Sequence, residues 1–202
     1  MLHRFALVLA ALLLPAAAWA QATTNVVIET TLGNIVVALE TERAPVTSAN
    51  FLRYADEKRF DGIVFYRAMR LDWGEQPNGL VQAGTQNEPR RILPPIAHEP
   101  TNATGVKHVA GAISMARYEP GSATGDWSIL LSVQPGLDAD PANEDPELRA
   151  GYAAFGRVIE GMEVIRAIFA APLDPAKGEG WMQGQMLADP VKVISVRRAA
   201  TS

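Results

Sequence analysis

Short β-rich runs broken by turn residues recur from Val26 to Val196, and only two stretches between them carry helical spacing. Val26 to Thr31, Ile35 to Glu40, Ile63 to Ala68, Leu80 to Ala83, Ala110 to Met115, Trp127 to Val133, Tyr152 to Ile159 and Val191 to Val196 each read as a strand. Leu32-Gly33-Asn34 supplies turn chemistry between the first two, which read as a hairpin. The first helix begins at Pro45, a residue suited to a first helical turn, and sets Phe51, Tyr54 and Ala55 on one face. The second spans Gly161 to Ala170, with Met162, Ile165, Ile168 and Phe169 on one side. The two helices lie far apart, so strands and helices do not alternate as βαβ units require. The pattern predicts a mainly β fold, a barrel or a sandwich. Asn87 to Gly105, with four prolines, and Glu119 to Gly125 read as loops. No repeat or linker divides the chain, so residues 21–202 are expected to form one domain.

The first twenty residues stand apart. His3 and Arg4 precede an apolar run from Phe5 to Ala18, and Ala18-Trp19-Ala20 places small residues where a signal peptidase reads. Residues 1–20 are therefore expected to be a signal peptide cleaved after Ala20, which sends the chain to the periplasm or the medium. The run is too short, and is interrupted by Pro15, for a spanning helix. No membrane association is expected after cleavage. The chain has no cysteine, which excludes disulfides, thiol nucleophiles and thiolate metal sites. A net charge of −4 without a basic block argues against nucleic acid as a partner. A monomer is expected.

The usual catalytic constellations are missing. The sequence holds no GxSxG, no HExxH and no phosphate-binding Gly-rich loop. His98, Glu99 and His108 could be imagined as a metal cluster, but solvated loop histidines are the better reading. Asp138 to Glu147 holds five acids and two prolines and reads as a solvated loop, since it lacks the glycine that an EF-hand turn needs. The Ser and Thr residues show no recognisable base partner. What remains is Arg67, a charge inside the apolar run Val64-Phe65-Tyr66-Arg67. Alternation alone turns Arg67 outward with its stem along the sheet. The sharper reading sets Arg67 and Gln82 on one groove as hydrogen-bond donors to a ligand.

The order of several motifs is similar to that of the cyclophilins, a family of peptidyl-prolyl cis-trans isomerases. Leu32-Gly33-Asn34-Ile35 resembles the family's opening hairpin, and Ala44-Pro45-Val46-Thr47-Ser48-Ala49-Asn50-Phe51 its first helix. Val64-Phe65-Tyr66-Arg67 stands at the place of the Phe-His-Arg strand, and Val81-Gln82-Ala83-Gly84 at that of Ile-Gln-Gly-Gly. Gly111-Ala112-Ile113-Ser114-Met115-Ala116 resembles the segment ending in Met-Ala. The run from Tyr152 to Gly161 contains Phe155-Gly156-Arg157-Val158 and resembles the Phe-Gly-x-Val signature.

The resemblance implies a closed eight-stranded antiparallel β-barrel capped by two α-helices. It also implies a cofactor-independent rotation about X-Pro bonds of unfolded or extended proline-containing polypeptides, or, as the alternative, a proline-peptide binding or chaperone module with little turnover. By resemblance Arg67 is the catalytic donor. Gln82 holds Arg67 or binds substrate backbone, Met115 and Ala116 line the pocket, and Phe155 is its floor. Tyr66, Asp126, Ser128 and Tyr152 complete the expected substrate-binding set, with no metal. The chain departs from the family pattern at Tyr66 for His, at Asn78-Gly79 and Gly136 where aromatics are expected, and at Arg117 for Asn. Asp126-Trp127-Ser128 replaces Gln-Phe-Phe. Trp73, in the insert between Arg70 and Asn78, reads as packing elsewhere in the fold.

Overall fold

The protein is described from a computed structural model covering residues 23–200, so the expected signal peptide lies outside the described residues. In chain order the elements are β1 (Thr24–Thr30), β2 (Gly33–Leu39), α1 (Pro45–Asp56), β3 (Val64–Arg70), β4 (Gly79–Gly84), α2 (Thr101–Thr104) and β5 (Ala112–Met115). They continue with β6 (Asp126–Leu130), α3 (Pro146–Ala150), β7 (Ala154–Glu160), α4 (Met162–Ala170), β8 (Leu173–Asp174) and β9 (Met186–Arg198). The strands pair in the order β1-β2-β7-β5-β6-β4-β3-β9, all antiparallel, and β9 returns to β1. Eight strands thus close a barrel with no free edge. The two-residue β8 adds to β9 outside this ring.

Four elements differ from the sequence reading. The short α2 and α3 lie in stretches read as loops, and β8 in a stretch that was given no element. β9 starts at Met186, five residues earlier than Val191, because Asp189-Pro190 masks the strand. Its pairing with β3 runs Val64↔Lys192 and Phe65↔Val191, then resumes at Arg67↔Met186. Pro190, which lacks an N–H for a ladder bond, falls in the irregular part between those pairs.

Residues pointing into the barrel alternate with residues pointing out. Phe65 pairs Ala83, Ala83 pairs Trp127, and Trp127 pairs Met115, so these four share the inner face. Trp127 is fully buried with its ring edge-on to Phe51, Phe60 and Phe65 at centroid distances of 5.7, 6.2 and 5.4 Å. Phe51 and Tyr54 of α1 close this end of the barrel, and Ile165, Ile168 and Phe169 of α4 pack toward β2, β3 and β4 at the other. α1 begins at Ala44-Pro45, which offers no side-chain oxygen for capping. Glu99 supplies it from a distant loop. Its carboxylate accepts from the N–H of Val46 at 3.1 Å, the N–H of Thr47 at 2.7 Å and the Thr47 hydroxyl at 2.6 Å. These satisfy donors left over at a helix N-terminus, where a negative charge is favoured.

Candidate active site

The outer face of the barrel carries one continuous row across four strands. Arg67 of β3 pairs Gln82 of β4, Gln82 pairs Ser128 of β6, and Ser128 pairs Ser114 of β5. A register shift between Phe65 and Arg67 makes this possible. It turns Tyr66 and Arg67 both away from the core while Phe65 and Ala68 stay inside. The outward direction read from alternation is kept, but the bulge is what secures it: the extra residue resets the parity of the strand, so Phe65 and Ala68 both stay inside while Arg67 faces out.

Arg67 is outward-facing but only 4% exposed. Its Nη1 donates to Gln82 Oε1 at 2.7 Å. Its Nε and Nη2 both donate to Gln185 Oε1, at 2.9 and 2.6 Å. Three of the five N–H groups of a guanidinium are thereby occupied, and two remain for a bound acceptor. The Trp181 ring covers the guanidinium, with its centroid 4.5 Å from Cζ. Burial pushes the Arg67 pKa down from its ordinary value, partly offset by the Tyr66 and Tyr152 phenols. Arginine starts high enough that the charge persists. Gln82 commits its carbonyl oxygen to Arg67, which leaves its amide NH2 to meet a ligand carbonyl.

Beside Arg67, Tyr66 donates its phenol to Asp126 Oδ1 at 3.1 Å. Asp126 also accepts from the Gln86 N–H at 3.0 Å and from the Thr85 hydroxyl at 3.3 Å. Burial pushes the Asp126 carboxyl up, and the hydrogen bonds from Gln86, Tyr66 and Thr85 oppose this. Burial, then the neighbouring Asp126, pushes the Tyr66 phenol up as well, so Tyr66 stays protonated and donates. Gly84 permits this corner. Its φ is +146°, and a Cβ there would meet Asp126 Cα at 2.5 Å.

At the far end of the row the structure corrects two readings. His108 is not a solvated loop residue but 1% exposed. Its Nδ1 lies 2.8 Å from Asp138 Oδ1 and its Nε2 lies 2.8 Å from Ser114 Oγ. A serine with a histidine partner therefore exists, although both are buried. Burial pushes the His108 pKa down, and the hydrogen bond and charge of Asp138 oppose this without prevailing. Among the described residues, no three His, Asp or Glu side chains converge as metal ligands. His98 contacts the Ala150 carbonyl, Glu99 caps α1, and Asp145 of the acidic loop caps α3 through the Glu147 N–H.

The register separates the expected pocket residues. Ala116 follows Ser114 on the outer face and is half-buried. Met115 pairs Trp127 on the inner face, and Phe155 is fully buried with its ring 5.6 Å from Phe51. Both side chains belong to the barrel core, not to the groove. Tyr152 is half-buried and stacks on Arg117, whose Cζ lies 4.6 Å from the ring centroid. Arg117 in turn donates to the Gly151 carbonyl at 3.2 and 2.6 Å and to Glu147 at 2.8 Å. Its place is thus to hold Tyr152 from behind. Trp73 does not pack elsewhere in the fold but is 60% exposed. The insert that carries it is held through Asn78, whose Nδ2 donates to the Trp73 carbonyl at 2.5 Å and whose Oδ1 accepts from Ser132 and Gln134.

A sequence profile described as cyclophilin type peptidyl-prolyl cis-trans isomerase/CLD matches residues 25–197. The chain belongs to this family. Among similar proteins, a peptidyl-prolyl cis-trans isomerase of Acinetobacter baylyi is 34% identical over 201 residues, covering 98% of this chain and 96% of the relative. Peptidyl-prolyl cis-trans isomerase A of Dickeya dadantii is 34% identical over 149 residues, covering 72% of this chain and 70% of the relative. A crystal structure of a cyclophilin type peptidyl-prolyl cis-trans isomerase from Cryptosporidium parvum superposes with a TM-score of 0.69 at 17% identity, covering 90% of this chain and all of the other. That likeness establishes the cyclophilin barrel. Membership assigns the isomerase reaction on proline-containing peptides, a reaction that needs no cofactor. Gln185 and Trp181 were missed by sequence reasoning. They sit in and beside a Gly-rich loop, and the one available signal was a tryptophan among glycines.

Proposed function

We propose that this cyclophilin rotates X-Pro bonds by donating from Arg67 to the prolyl nitrogen. An X-Pro bond crosses a barrier of roughly 18–20 kcal/mol because the amide is partly double-bonded. When the bond twists, resonance is lost and the nitrogen regains a lone pair. A fixed cationic donor beside that nitrogen stabilises the twisted amide more than either planar form, which is the condition for catalysis. The observation that carries the reading is the clamped Arg67 guanidinium, with three N–H groups held by Gln82 and Gln185 and two left over. The clamping glutamines are neutral, so the charge is held in place without being neutralised. Gln82 then steadies the substrate backbone through its amide NH2. Tyr66, Ala116, Asp126, Ser128 and Tyr152 border the groove.

The substrates are unfolded or extended chains, in which the X-Pro bond is free of tertiary contacts and can be laid along the Arg67–Gln82 row. The predicted signal peptide supports a location in the periplasm or outside the cell, and with it a role in folding exported proteins. Two measurements test this. A refolding assay on a protein limited by proline isomerisation should show a faster slow phase with catalytic amounts of the enzyme. Fractionation of expressing cells should recover a chain starting at Gln21 outside the cytoplasm. An unchanged slow phase would count against the folding role, and an unprocessed chain retained in the cytoplasm against the location.

A further inference from the structure

Trp181 is 72% exposed, yet it lies against the most buried cation of the site. One face of the indole covers Arg67 at 4.5 Å. The Trp181 carbonyl accepts from Gln185 Nε2 at 2.9 Å, and the oxygen of the same Gln185 receives two Arg67 donors. The loop is therefore fastened to Arg67 twice, once by stacking and once through Gln185. A short 3-10 turn, Gly180–Met182, displays the indole, and Gly180 adopts a φ of +56°. An indole needed only to cover Arg67 would be largely enclosed by its neighbours. This one leaves most of its surface to water beside a guanidinium that keeps two N–H groups unused.

The geometry constrains what a ligand can do there. An acceptor in the guanidinium plane sits about 2.9 Å from a donor nitrogen. It then lies within van der Waals reach of a ring stacked 4.5 Å above the guanidinium carbon. A peptide held by Arg67 therefore has the indole within reach. Along the row Arg67 is followed by the polar Gln82 and Ser128, and of the three aromatic rings near Arg67, Trp181 is the most exposed, Tyr66 and Tyr152 being half-buried. Proline-containing segments dock on aromatic-lined grooves because the ring is apolar, rigid and flat.

We propose that Trp181 is a substrate-contact residue, the aromatic wall on which the prolyl ring packs while its amide is held at Arg67. This inference rests on the isomerase reading above. The test titrates the 15N-labelled protein with acetyl-Ala-Ala-Pro-Ala-amide and follows the Trp181 indole N–H signal, assigned with Trp181→Phe. The same samples give the dissociation constant and the exchange rate at saturation. The indole signal should shift saturably. Trp181→Ala should weaken binding roughly five- to tenfold, the worth of one aromatic contact, and lower the saturated rate less. Trp181→Phe should keep most of the affinity. An indole signal that does not move, with unchanged affinity in Trp181→Ala, overturns the proposal while wild-type turnover keeps the isomerase reading. A loss confined to the saturated rate also overturns it, since Trp181 would then act only by positioning Arg67. A wild type that neither binds the peptide nor speeds its exchange removes both, and this is visible before any variant is made.

Discussion

At the scale of single residues, the site depends on side chains brought together from distant parts of the chain. Arg67 and Gln82 were legible because each lies in a strand with a recognisable neighbourhood. Gln185 was not, since its contact with Arg67 spans 118 residues of sequence and depends on how the last loop returns. Gln185 is a positioning residue in this account. Gln185→Ala should free Nε and Nη2 of Arg67, lower the saturated exchange rate about ten- to a hundredfold and leave peptide affinity nearly unchanged, since a hydrogen bond to a charged group is worth about 1.5–3 kcal/mol. Met115 and Phe155 were assigned to the pocket by resemblance alone, and their inward direction, paired with Trp127 and packed on Phe51, puts them in the barrel core instead. His108 read as solvated because nothing nearby in sequence announces Asp138, 30 residues on. Its pKa is depressed in the folded state, so the unfolded chain binds the proton first as pH falls. The His108 contribution is fully present above about pH 6.5 and declines below it. Chemical denaturation from pH 8 to pH 5 should show a loss of stability in the wild type that His108→Gln lacks in part. Parallel pH profiles for the two proteins would contradict this.

At the scale of elements, helix ends and strand corners are where the sequence said least. The strands and both long helices were readable from apolar periodicity, whereas α2, α3 and β8 are too short to carry a period. α1 shows the same limit at its start. Pro45 announced the helix, but the capping group is Glu99, 52 residues away from Thr47. Glu99→Ala should therefore destabilise the fold by about 0.5–2 kcal/mol, as loss of an N-cap does. Thermal or denaturant unfolding checks this, and an unchanged midpoint would mean that α1 draws no stability from the cap. Gly84 belongs to the same scale. Gly84→Ala should lose the Asp126 corner, because the Cβ would sit 2.5 Å from a backbone carbon in a conformation that disfavours side chains.

At the scale of the whole molecule, the barrel closes only when its last strand is in place. β9 pairs with β1 and β3, the first strand and the strand that carries Arg67. A chain ending before Met186 would expose both edges, and should aggregate rather than fold. The closed topology was inferable from family resemblance, whereas the strand pattern left barrel and sandwich both open. The closed wall is also what makes the groove: side chains from β3, β4, β6 and β5 can form one row because rigid neighbours fix their register. The measurement that bears most directly on the account is two-dimensional NMR exchange on a saturating proline peptide, comparing wild type with Arg67→Ala. The account predicts wild-type acceleration of cis-trans exchange, reduced about 10²–10³-fold in the variant, as removal of one transition-state donor does. An Arg67→Ala protein that exchanges the peptide at the wild-type rate would contradict it.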